Sequence, residues 1–182
     1  MDNKHDGKIF DKVYRVAPLI FGVISLIMIF LPNAFMVVKE TVQDGNDIVK
    51  IIPEFSGINV AFGAAKDVFE GVSVSFSASI VILSYLLVLA GVALSVLDLL
   101  GYGGKIVPVI DCALFCGAAV LFFLTTNVVN YTIDIVNPDL YVSEFKASYG
   151  ALTGGALSIL ASVISFVYIF LPKTKIALRT HE

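Results

Sequence analysis

The sequence predicts an all-α membrane fold, a four-transmembrane-helix bundle with a small extracytoplasmic antiparallel β-sheet. Two observations lead to it. Of the 182 residues, 58% are apolar and only 15% charged, where soluble domains run near half apolar and about a quarter charged. The apolar residues also gather into four blocks, 16–38, 71–97, 112–133 and 147–172, each 22 to 27 residues long. A hydrocarbon core of roughly 30 Å needs about 20 helical residues at 1.5 Å each, so all four blocks qualify. We place the spans at about 16–34, 78–98, 108–130 and 149–171. No segment remains to build a separate soluble core, so residues 1–182 form a single integral membrane domain.

The first block follows basic residues, as a signal peptide would. Its apolar run is too long for a signal h-region and no A-x-A-like site follows, so it reads as a retained span. Residues 1–15 form a polar tail of mixed charge, expected as a short helix on the inner leaflet. Pro18 suits the first turn of the helix that follows, and Pro32 ends or kinks that helix.

The connection 35–70 is long but patterned. Segments 35–42 and 48–52 flank Gln43-Asp44-Gly45-Asn46, and an Asp-Gly pair between β-branched runs is a hairpin signal. Residues 55–63 supply a third strand. The stretch 71–79 alternates serine with apolar residues, which fits a strand by period. The same serines also recur at i, i+4, which fits a helix, and periodicity leaves both open. Gly101-Tyr102-Gly103-Gly104-Lys105 reads as a short turn that makes the second and third helices antiparallel. Asn137-Pro138-Asp139 marks a turn in the last connection, and Leu171-Pro172 stops the fourth helix.

Lysine and arginine resist translocation and so set the orientation. With the amino terminus inside, eight basic residues (Lys4, Lys8, Lys12, Arg15, Lys105, Lys173, Lys175, Arg179) face the cytoplasm and four (Lys39, Lys50, Lys66, Lys146) face outward. Net charge is then +2 inside and −5 outside. The expected location is the cell membrane, multi-pass, with both termini cytoplasmic.

Three residue sets stand out. Gly150, Gly154, Ser158 and Ser162 place one small residue every four positions along the fourth helix. Such a stripe lets helix backbones approach closely, within the bundle or against a second copy. Asp98, Lys105 and Asp111 gather about the inner turn. They read as interfacial charges snorkelling to water, with Lys105 or the tail bases holding the carboxylates, or as a cation- or partner-binding group. Phe55, Ile58, Val60 and Phe62 form either an outer contact surface or the core of the outer sheet.

Other chemistry finds no support. Gly-x-Ser-x-Gly and His-Glu-x-x-His are both absent, and the two histidines, His5 and His181, lie in the tails. Cys112 and Cys116, one turn apart, read as buried packing residues. Asp44 and Asp47 fall short of a calcium shell. Asn130-Tyr131-Thr132 is formally a glycosylation acceptor but lies against the membrane surface. The glycines at 101, 103 and 104 lack phosphate-loop spacing. We expect no enzyme activity, no cofactor, no metal and no nucleic-acid partner.

Four spans, a long first outer loop that reads as a small sheet, a short inner turn and a shorter second outer loop resemble the claudin-like tetraspan arrangement. The 55–63 loop followed by the serine-rich entry to the second helix is similar to small bacterial four-span membrane proteins. The resemblance implies topology alone. Claudins carry a Trp-Gly-Leu-Trp signature and a first-loop cysteine pair, whereas this chain has no tryptophan and its cysteines lie at 112 and 116. No claudin residue role carries over. The expected function is non-enzymatic, structural or assembly-related, with the lipid bilayer, a second copy or another membrane protein as partner. The alternative is a small channel or transporter subunit acting as an oligomer.

Overall fold

The computed structural model describes residues 3–43, 47–51, 54–62, 66–69, 72–77, 79–102, 104, 106–128, 130–135 and 140–171. In chain order these form α1 (Asn3–Ile27) with a 3-10 turn (Met28–Phe30), then β1 (Phe35–Gln43), β2 (Asp47–Ile51) and β3 (Glu54–Phe55). There follow the short α2 (Gly57–Ala61), β4 (Lys66–Phe69), β5 (Val72–Ser77) and α3 (Ser79–Leu99). The chain continues as α4 (Ile106–Val128), β6 (Asn130–Ile135), β7 (Leu140–Ala147) and α5 (Tyr149–Phe170).

The four long helices are long and apolar enough to cross a membrane, over Lys12–Phe30, Ile80–Leu99, Ile106–Thr125 and Tyr149–Phe170. A hydrocarbon interior offers backbone groups no water, so such runs close their hydrogen bonds internally as helices. Two helices stop in the same way. Leu31 (ψ 134°) and Leu171 (ψ 136°) are extended, and each precedes a proline whose ring disfavours helical backbone in the residue before it. The tail end of α3 closes differently. Gly101 takes φ +86°, Tyr102 N–H bonds the Leu97 carbonyl at 2.9 Å and Gly101 N–H bonds that of Asp98 at 3.0 Å. This is a Schellman cap, with glycine at the left-handed position.

The helices pack as a ring in the order α1, α3, α4, α5. Every strand lies between helix ends on the same side, so both sheets cap one end of the bundle, here the sheet end. In the four-stranded sheet β7 runs along one edge of β1, while β2 and β3 share the other edge. The three-stranded sheet has the order β4-β5-β6, all antiparallel. The core runs the length of the bundle, from Phe35, Phe55 and Val60 at the sheet end through Val81, Tyr85, Val88, Phe122 and Ala118 to Phe115. Phe115 sits in a socket that glycines leave open: a Cβ on Gly22 or Gly91 would come within 2.9 or 2.8 Å of its ring.

Several sequence expectations are corrected. The amino-terminal tail, from Asn3, is continuous with α1, and Pro18 lies inside that helix rather than at its start. The third span begins at Ile106, and its expected end at 130 already belongs to β6. Residues 55–63 do not make a strand: β3 ends at Phe55, and Ser56 caps α2 by accepting the Asn59 N–H at 3.2 Å. Within the open stretch 71–79, residues 72–77 form strand β5 and helix α3 begins at Ser79. The strands form two sheets, each drawing on both long connections. The turns at 44–46 and 136–139 lie outside the described residues, although Gln43 pairs with Asp47 across the first.

Gly150 packs α5 directly against backbone, at Ala34 just before β1. A Cβ there would lie 2.8 Å from the Ala34 Cα and 3.3 Å from its nitrogen, and backbone cannot swing aside. Gly150→Ala is expected to destabilise the folded bundle by about 1–3 kcal/mol through overpacking. Gly117→Ala, whose Cβ would meet only the flexible Leu87 side chain at 3.4 Å, should leave stability nearly unchanged. Thermal unfolding of both variants in the same detergent checks the contrast.

Candidate functional site

Large apolar side chains such as Leu86, Leu124, Ile159 and Phe166 face outward, and most of the small or polar ones face inward. The small-residue stripe is an internal packing surface. Gly150, Gly154, Ser158 and Ser162 are all buried. Ser25 donates to the Gly154 carbonyl at 2.9 Å and stands 3.1 Å from the Ser158 hydroxyl. Ser162 donates to the Cys112 carbonyl at 2.9 Å. Of the cysteines, Cys112 is half-buried, while Cys116 is exposed on the outer face rather than packed inside.

The inner charges depart furthest from expectation. Asp98 and Asp111 do not snorkel: they are 7% and 4% exposed. The base that meets Asp98 is Arg15, one of the tail bases expected to hold these carboxylates and here part of α1. Arg15 Nε donates to the Tyr168 hydroxyl at 2.7 Å and lies 3.9 Å from Asp98 Oδ2. Its Nη1 donates to the Asp98 carbonyl at 3.2 Å. One guanidinium thus ties α1, α3 and α5 together, as its planar fork of donors allows. Lys105 lies outside the described residues. The available signal was positional, since Arg15 and Asp98 both stand at the same end of their spans.

A second polar layer lies one turn deeper. The Arg15–Tyr168 and Ser25–Ser158 contacts hold α1 and α5 in one antiparallel register, ten residues forward on α1 matching ten back on α5. Pro18 is therefore level with Ser165, and the Arg15–Asp98 contact sets it level with Ser95. Ser95 in turn donates to Asp111 Oδ2 at 2.6 Å. The Ser162–Cys112 contact between α5 and α4 sets Asp111 against Val163, within one turn of Ser165. Pro18, Ser95, Asp111 and Ser165 are all buried, so this layer faces the bundle interior. Asp111 Oδ1 and the Ser165 hydroxyl have no hydrogen-bond partner among the described residues. A layer of one carboxylate and two hydroxyls offers oxygen ligands to a small cation, with no paired nucleophile and base.

At the sheet end the expected contact surface divides. Phe55 and Val60 are fully buried in the core, Ile58 is half-buried and Phe62 is 74% exposed. Phe62 borders an apolar groove of about 180 Å³ between α1 and α3, lined by Leu26, Ile29, Ile82, Leu86 and Leu89. Tyr85 backs this groove and packs edge-on against Phe122 at 4.9 Å. Among the described residues, no group of three histidine, cysteine or acidic side chains is placed to hold a metal. In comparison with known proteins, no family model and no curated protein matches the chain.

Breaking a buried ion pair from one side strands the other charge, at about 3–5 kcal/mol. Arg15→Ala is therefore expected to cost stability at the lower end of that range, since the Arg15 side chain is 20% exposed. Tyr168→Phe, which loses one hydrogen bond to a charged group, should cost about 1.5–3 kcal/mol. In Arg15→Ala/Tyr168→Phe the two losses should add to less than their sum, and unfolding midpoints across the four proteins measure that coupling.

Proposed function

We propose that the chain is a non-enzymatic multi-pass membrane protein with a structural or assembly role, acting through contacts with a second copy or another membrane protein. The observation that carries this reading is the closed bundle axis. Phe115, Phe122 and Val88 fill it, and the Ser25–Ser158 contact bridges α1 and α5. A protomer packed this way offers no water-filled path, so its working surfaces lie outside. Phe62 with its groove is one. The β2 and β4 edges are others, since an unpaired strand edge is a template for strand addition, and among the described residues neither has a partner on its second side.

The proposed setting is the cell membrane, with both termini cytoplasmic and the sheets outside, on the strength of the basic-residue bias. The claudin-like resemblance is carried as a proposal about topology alone. One observation favours a second reading, a channel or transporter subunit acting as an oligomer: the buried carboxylate of Asp111, because ionisable groups inside spans mark ion pathways more often than chance.

Mild crosslinking in the native membrane, followed by mass spectrometry, tests the main reading. The wild-type chain should yield a defined larger species, and Phe62→Ser should lower its yield while the unfolding midpoint stays put. Equal yields from both proteins would remove Phe62 from the contact. The wild-type protein in liposomes should show no ion flux, and a steady leak would favour the second reading.

Orientation has its own test. With Cys112 and Cys116 replaced by alanine, a membrane-impermeant maleimide on intact cells should label Gly45→Cys and spare Thr174→Cys. The reverse pattern would invert the proposed topology.

A further inference from the structure

We propose that Asp111 is the anionic ligand of a buried site for a monovalent cation of about sodium's size, with the hydroxyls of Ser95 and Ser165 as further oxygens. The proposal stands apart from the scaffold reading. It starts from a carboxylate, Asp111, at a position only 4% exposed. A buried carboxylate is tolerated when its charge and its lone pairs are both met. The Ser95 hydroxyl meets Oδ2 at 2.6 Å. Oδ1 has no donor among the described residues, although it stands in a layer where Ser165, 2% exposed, is also without a hydrogen-bond partner.

These two groups make the layer more than an acidic pair. They lie on adjacent helices, within one turn of each other in register, and both are buried. Two oxygens short of partners are what a hard cation binds, since such ions take carboxylate and other oxygen ligands. Ser95 can take part without giving up its bond to Asp111, because a hydroxyl that donates its proton keeps two acceptor lone pairs. Charge selects the valence. One carboxylate among the ligands is balanced by a single positive charge, whereas a divalent ion would leave the site positive inside the bundle. The lack of a third acidic, histidine or cysteine ligand among the described residues agrees with that choice.

The test uses the full chain in detergent, at constant pH and ionic strength, in sodium, lithium, potassium or choline chloride. The expected result is an unfolding midpoint that rises saturably with sodium over choline, matched by saturable binding of radioactive sodium. A rise with lithium or potassium as well supports the site and sets only its size. Asp111→Asn should abolish both signals. Ser165→Ala removes a single oxygen and should weaken sodium about tenfold, the worth of one good polar contact. If Asp111→Asn fails to fold, the Ser165→Ala titration decides alone. Identical midpoints in all four salts together with no saturable sodium binding would overturn the proposal and leave Asp111 as a protonated, structural acid.

Discussion

The carbonyl oxygen of Ala34 accepts N–H bonds from Ser148 at 3.0 Å and Ala151 at 3.3 Å, and the Gly150 N–H reaches the Asn33 carbonyl at 3.2 Å. This knot sits where α1 gives way to β1 and β7 gives way to α5. Its position matters because a helix rises 1.5 Å per residue and a strand about 3.3 Å. If one partner changed from helix to strand before the other, their register would drift by roughly 1.8 Å for each residue of mismatch. Here β1 begins at Phe35 and β7 ends at Ala147 directly opposite one another. Phe35 pairs with Ala147 on the strand side, while Ser25 meets Ser158 and Arg15 meets Tyr168 on the helix side.

The other half of the molecule obeys the same rule. Ser77 pairs with Asn130 where α3 and α4 meet their strands, and Ser95 meets Asp111 deeper in the bundle. The protein is thus two long antiparallel ribbons, α1–β1 against β7–α5 and β5–α3 against α4–β6, each helical through the bundle and extended beyond it. The polar layers follow from that geometry. Once the ribbons are in register, Arg15, Asp98 and Tyr168 must share one level, and Ser95, Asp111 and Ser165 the next.

How much of this was legible in the sequence depends on the range of the interaction. Hydropathy located four spans because a long apolar run is a local property, and Gln43-Asp44-Gly45-Asn46 marked the β1–β2 hairpin because a turn is local too. The Ser56 cap of α2 was also local, but it was lost under the apolar alternation of the residues that follow. The β1–β7 and β5–β6 pairings join residues far apart in sequence, and nothing within either strand names its partner. Asp98 and Asp111 were misread for a related reason. A carboxylate near a span end snorkels unless its helix face turns inward, and that is decided by the neighbouring helices. The low amphipathicity of these helices hides the inward face, because small and polar residues share it with Val88, Phe115 and Phe122 while other large apolar residues cover the outside.

That choice of lining follows from the solvent. Between helices in hydrocarbon, burying a leucine gains little, since lipid is as apolar as the bundle interior. Close backbone approach and hydroxyl bonds hold the ribbons together instead. Three interior hydroxyls are spent locally: Ser84 on the Val81 carbonyl at 2.8 Å, Thr125 on that of Leu121 at 2.7 Å and Ser158 on that of Gly154 at 2.9 Å. Ser25 and Ser162 reach across to a neighbouring helix. The groups left over are not scattered. The Tyr85 hydroxyl stands near the sheet end, where a Cβ on Gly57 would come within 2.6 Å of it. Asp111 and Ser165 stand together near the tail end. The bundle thus leaves one hydroxyl unmet near its sheet end and a carboxylate oxygen with a hydroxyl unmet near its tail end. A packing role alone gives no reason for an acid there, since an apolar residue of the same volume packs without the desolvation cost.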